Sequence, residues 1–282
     1  MTREPSPTVR KRRLASELRR LRETAGLTIE DVGEKLECSP SKISRIETLR
    51  VGVTPRDVRD MLLLYGVGEE QREYLVQIAR EARIKGWWEA FGDVGRGAFL
   101  GFEAEAAILR TYNAVLVPGL AQTEAYIRAL ISEGAPDMSK EEAERRIAMR
   151  MARKNILERP DPPRVSFVLD EAILRRPVGG AEVMRTQFDH IVDLAARPNI
   201  TFQVIPFVHG SYPGMGSSFV IMEFPDPADR DVVYVEGTVD GQFQDNADEV
   251  DYHTMLWGHL VASALPPQDS VAFVADAARQ LD

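Results

Sequence analysis

The sequence predicts two domains of different class: an all-α domain of five helices, then an α/β domain in which helices cover a mixed sheet. Three observations carry this. Apolar residues recur at helical spacing through residues 13–84. Runs rich in Val, Ile and Phe begin only beyond residue 160. Charge is also divided unevenly: residues 1–85 hold 18 Lys and Arg against 14 Asp and Glu, or +4, and the rest hold 17 against 30, or −13. A length of 282 residues accommodates two domains. With 44% hydrophobic and 28% charged residues the composition is that of a folded protein, not of a disordered or collagenous one. The single cysteine excludes an internal disulfide framework and a Cys-rich zinc site. No apolar run approaches the roughly 20 residues that span a bilayer, and the first 20 residues lack the apolar stretch of a secretory signal. The expectation is a cytoplasmic protein with no membrane partner.

Residues 1–12 read as a flexible basic arm that includes Arg10, Lys11 and Arg12, and Arg13 extends the cluster. The helical domain covers 13–84. Leu14, Leu18, Leu21 and Ala25 form the stripe of its first helix, and Ile29, Val32, Gly33 and Leu36 that of its second. Three start signals follow closely: Thr28 with Asp31, Ser39 with Pro40, and Thr54 with Pro55 and Asp57. A fourth helix runs over about 55–65 with Val58, Met61, Leu62 and Tyr65 inward, and a fifth over about 69–84 with Leu75, Ile78 and Ala82. Glycines and tryptophans in KGWWEAFGDVGRGAFLG place a boundary near Lys85, so the α/β domain spans 85–282. There the expected helices lie at about 102–113, 122–133, 139–158, 180–196, 246–264 and 268–281. The expected strands lie at 164–170, 200–207, 217–224 and 231–237.

The sharpest signal lies in Gly26 to Arg50. Two short capped helices joined by Glu37-Cys38-Ser39 cross steeply only where their contact is thin, and Gly33 removes the side chain there. That is a helix-turn-helix. On its second helix Ile43 and Ile46 turn inward, while Ser41 and Arg45 fall on the opposite side, flanked by Lys42 and Ser44. A short rod with a polar, basic outer face suits the major groove of double-stranded DNA, where an arginine donates two bonds to guanine. Arg45 is the first candidate for base reading. Ser39, at a helix N-terminus, suits a phosphate, and Thr28 holds the equivalent place one helix earlier.

With these residues in view, Leu18 to Arg50, centred on GLTIEDVGEKLECSPSKISRIE, resembles the Cro/CI-type (XRE family) helix-turn-helix of bacterial repressors. The resemblance implies five helices, a homodimer on a near-palindromic operator, and DNA contacts at Ser39, Pro40, Ser41, Lys42 and Arg45. It also implies an internal ion pair between Arg22 and Glu47. Two departures stand out: Ile29 where the family often has a phosphate-touching Gln, and Cys38 where a turn Gly is common. The remainder, through VPGLAQTEAYIRALI, LDEAILRRPVGGAEVM, PNITFQVIPF and HGSYPGMGSSFVIMEF, resembles the C-terminal domain of antitoxin-like actinomycete regulators, the WhiJ-type among them. That resemblance implies a small acidic partner protein.

No constellation for catalysis, metal or cofactor stands out. Asp170 and Glu171 end a strand and point to opposite faces, which suits a cap better than a carboxylate pair. His253 and His259 are too far apart around a helix to share a metal. HGSYPGMGSSF lacks the Gly-Lys-Ser/Thr ending of a phosphate loop, which leaves His209 and Tyr212 as candidate pocket residues. Trp87 and Trp88 fit either plain packing or a ligand or partner surface. Arg146, Arg150, Arg153 and Lys154 line one side of a helix and read by default as solvated, with a seat for the acidic partner or a second phosphate contact as the alternatives. The expected function is a DNA-binding transcriptional regulator modulated through its second domain, and not an enzyme. An antitoxin-like interaction protein and an enzyme with a targeting domain are the alternatives.

Overall fold

The computed structural model describes residues 6–92, 97–237 and 241–281. The chain divides between Glu89 and Ala90 into two units.

The first unit is helical: α1 (Pro7–Thr24), α2 (Ile29–Lys35), α3 (Pro40–Glu47), α4 (Pro55–Leu64) and α5 (Glu69–Glu81). Leu14, Leu18, Val32, Ile43, Ile46, Val58, Met61, Leu62, Leu75 and Ile78 meet in one core fed by all five helices. Ala25, expected on the inward stripe, is exposed just past the end of α1. The expected basic arm is corrected. α1 begins at Pro7, because Ser6 caps it by accepting from the Thr8 amide and Pro7 takes its first turn. Val9 is buried, and the Arg10 Nε stands 3.1 Å from Glu81 at the end of α5. Residues 7–12 are therefore helix, and the rest of the arm, 1–5, lies outside the described residues.

The second unit is built on a six-stranded mixed sheet of order β3-β2-β1-β4-β5-β6. Its strands are β1 (Ile108–Asn113), β2 (Arg164–Asp170), β3 (Ile200–Ile205), β4 (Phe219–Glu223), β5 (Val232–Val235) and β6 (Gln242–Gln244). The first three run parallel, and β4 to β6 continue antiparallel from β1. Helices α6 (Gly97–Glu105), α7 (Glu124–Gly134), α8 (Lys140–Arg153), α9 (Ala172–Arg175), α10 (Ala181–Ala195), α11 (Ala247–Ser263) and α12 (Pro267–Arg279) complete it. Residues 108–113, read as the end of a helix, form a central strand. Ile108, Thr111 and Tyr112 favour extended backbone, and pairing with β2 on one side and β4 on the other outweighs the helix formers just upstream. On one face Tyr112, Val168, Phe219, Ile221 and Val233 pack with Leu256 and Leu260 of α11. Phe167 and Phe202, paired across β2 and β3, stack with ring centres 4.6 Å apart.

The cationic stripe on α8 does not face solvent alone. Arg153 grips Glu103 through two guanidinium nitrogens and lies over the Phe99 ring at 4.8 Å. Arg150 donates to Gln122, and the Lys154 ammonium donates 2.8 Å to the Gln122 carbonyl and stands 3.1 Å from the His190 ring. Arg146 pairs with Glu142 at 2.7 Å. Arg150, Arg153 and Lys154 thus hold this end of the helix to its own domain, which corrects the solvated reading for them, whereas Arg146 pairs only within α8 and stays partly exposed.

Candidate nucleic-acid interface

The place of α3 is set from the backbone upward. A Cβ at Gly33 would lie 2.9 Å from the Cys38 carbonyl oxygen and 3.1 Å from the Pro40 nitrogen, so glycine alone lets the link pass this close to α2. The Cys38 amide donates 2.8 Å to the Gly33 carbonyl and fixes the crossing. The left-handed residue of the link is Glu37, at φ 50°, not Cys38. Cys38 is half-buried and packs on the helical core. Left-handed backbone costs a side chain about 1–2 kcal/mol. Glu37→Gly is therefore expected to stabilise the unit by about 0.5–1 kcal/mol once the extra chain entropy of glycine is deducted, as measured by denaturant unfolding.

α3 starts where Ser39 accepts 3.2 Å from the Lys42 amide, with Pro40 in the first turn. No acidic residue occupies that turn, so the positive end of the helix is unscreened, and the serine hydroxyl keeps its own proton to donate. Thr28 differs. Its hydroxyl and Asp31 form a reciprocal capping box, with the carboxylate accepting from both the Thr28 amide and hydroxyl at 2.8 Å. Glu30 and Asp31 place negative charge at the start of α2, which disfavours a phosphate there, so Thr28 and Ser39 hold the equivalent cap position as expected but in opposite electrostatic settings. Ile29, on the helix it opens, packs on the core.

Ile43 and Ile46 are buried at 1% and 2% exposure, and Ser41 and Arg45 are exposed on the other side of the same helix. The Arg45 Nε donates 3.3 Å to the Ser41 carbonyl, which lays the side chain along the outer face. Ser44 is half-buried beside it. Lys42 is held by Asp57 at 3.0 Å. Burial works to raise the Asp57 carboxyl, but the Thr54 hydroxyl and the Lys42 ammonium outweigh it and keep the group below the usual carboxylate range. Lys42 is thus a braced cation, and its partner, fifteen residues on, was visible in the sequence only as a helix cap.

The whole rod is fastened to α1. Arg22 donates from Nε to Glu47 Oε1 at 2.7 Å and from Nη2 to Oε2 at 2.9 Å, while Nη1 donates 2.8 Å to the Leu27 carbonyl. Both side chains are buried, at 9% and 4% exposure. The Tyr65 hydroxyl, buried and without a hydrogen-bond partner among the described residues, has its pKa driven well above the ordinary range by desolvation and by the nearby Glu47 charge.

The remaining candidates are scattered. Trp87 and Trp88 meet edge to face at 5.9 Å on a 3₁₀ turn and are half-buried. His209 is exposed, and its ring stands 6.2 Å from that of Tyr212. Tyr212 is buried, sharing a hydrogen bond with the Tyr112 hydroxyl at 2.8 Å and donating to Asp170, so it is not a surface residue. Asp170 also accepts from the Ala172 amide, and Glu171 accepts from the Phe207 amide while pairing with Arg175. These carboxylates fasten loops to the end of β2.

Among the described residues no helix is long and apolar enough to cross a membrane. No curated protein and no solved structure matches the chain. Residues 13–75 match a family described as a helix-turn-helix domain, which covers the last two thirds of α1, all of α2 to α4 and the first half of α5. Residues 97–276, more than half of the chain and nearly all of its sheet-bearing unit, match the family described as domain of unknown function DUF5753, and the chain belongs to that family.

Proposed function

We infer that the chain is a sequence-specific regulator that reads double-stranded DNA with α3 in the major groove. The observation that carries the reading is the exposed Ser41–Arg45 face of α3, opposite two buried isoleucines and above an acid-free N-terminus capped by Ser39. Arginine on such a face matches guanine O6 and N7, and the Ser39 hydroxyl with the first-turn amides suits a backbone phosphate. Two copies would set their third helices on half-sites about one turn of duplex, 10–10.5 base pairs, apart on a near-palindromic operator. The family resemblance further supports a second unit that receives a signal from a small acidic protein or a ligand and joins the two copies.

The test is selection of genomic fragments on the purified full-length chain. Enrichment of one near-palindromic motif is expected, and retention of fragments with no shared motif overturns the reading. Ser39→Ala is expected to weaken binding to operator and scrambled duplex by the same factor, since phosphate contacts position without reading sequence, and to cost about 1 kcal/mol of stability as a lost cap. A change in the ratio of the two affinities would assign Ser39 to base reading instead.

A further inference from the structure

The helical unit holds a cleft of about 170 Å³ on which the DNA reading makes no demand. Its floor is apolar and buried: Leu14 and Ala15 of α1, Ile46 of α3, and Ala82 just past α5 are each at most 4% exposed. Its lip is apolar and exposed, with Leu49 at 50% and Val51 at 37% on the segment after α3. Leu49 holds φ 61°, so the backbone is turned into the left-handed region to present this lip. Three exposed cations, Lys11, Arg50 and Arg83, also line the cleft, and no acidic residue does.

We propose that this cleft binds a compact apolar acid, a single hydrocarbon ring or short alkyl body carrying one carboxylate. Volume sets the body: a cavity of roughly 150 Å³ holds one benzene ring. Charge sets the head, because three exposed cations from three segments line one cleft without a counter-ion among the lining residues. Inorganic phosphate would use the cations but has no use for the floor, and a neutral hydrocarbon would use the floor but not the cations. The segment that forms the lip also ends the reading helix, since the Arg50 and Val51 amides both donate to the Arg45 carbonyl, at 2.8 and 3.2 Å. A ligand wedged beneath Leu49 therefore presses on a segment hydrogen-bonded directly to the residue inferred to read bases.

The test is a titration of isotope-labelled full-length chain, without DNA, using 4-ethylbenzoate, the uncharged 4-ethylbenzamide, and inorganic phosphate. The benzoate is expected to saturate one site per chain, to move the amide resonances of Leu49–Val53 and Ala82–Arg83, and to bind about tenfold tighter than the amide. Arg50→Gln with Arg83→Gln, both exposed positions, is expected to reduce the benzoate to the amide's affinity. Failure to saturate, equal affinity for benzoate and amide, the same shifts with phosphate, or shifts confined to residues beyond Ala90 would each overturn the proposal. Because no duplex is present, none of these outcomes bears on whether α3 reads DNA.

Discussion

Arg22→Met is expected to lower the unfolding free energy of the helical unit by about 3–5 kcal/mol, the largest stability effect among the substitutions considered. The reason is the partner left behind: Glu47, 4% exposed, would keep a buried charge with neither of its two guanidinium bonds. The Leu27 carbonyl would lose its donor as well. Adding Glu47→Leu to Arg22→Met removes the stranded charge, and replacement of a buried pair by apolar groups is commonly neutral or better. The double variant is therefore expected to recover most of the loss, giving a strongly non-additive cycle. Native-state amide exchange at Leu18 and Val58 on the full chain reads the local stability directly. A loss below about 1 kcal/mol in the single variant would mean that water or another donor satisfies Glu47, and that the pair does not fasten the third helix.

Arg45→Ala is expected to cost operator binding about 1–3 kcal/mol, roughly five- to 150-fold, while binding to scrambled duplex falls far less. The side chain is exposed and packs into no core, so the folded stability should stay within about 0.5 kcal/mol of the parent. A guanine substitution series in the selected operator should show the preference vanishing at one position of each half-site. Equal losses on operator and scrambled duplex would instead make Arg45 a phosphate contact. Lys42 offers the contrast: already engaged by Asp57, it must exchange one anion for another, so its removal should mainly reduce the dependence of binding on salt.

What could be read from the residues alone was what local chemistry decides. The caps at Thr28, Ser39 and Thr54 and the inward stripes of α2 to α5 follow from neighbours a few positions away, and strands β2 to β5 follow from runs bounded by turn formers. The misses have a common cause. β1 is extended because two strands pair with it, although FEAEA just upstream favours helix, and β6 is too short, at three residues, to carry a pattern. Arg153 at the end of α8 looks solvated until Glu103, fifty residues away, is brought against it. The same holds at the interface. Its outward face was legible, but the left-handed Glu37, the Lys42–Asp57 brace and the apolar lip at Leu49 and Val51 arise only once the chain has closed on itself.

The fastening of the third helix has a consequence for how this unit could diversify. Ser39, Pro40, Ile43, Ile46 and Glu47 carry its start, its seat and its tether, and Ser41 and Arg45 carry none of these. Grip and message are written on interleaved but separate letters. On the function proposed above, exchange at the two outer positions alters the DNA sequence recognised without renegotiating the architecture, so one scaffold can serve different targets.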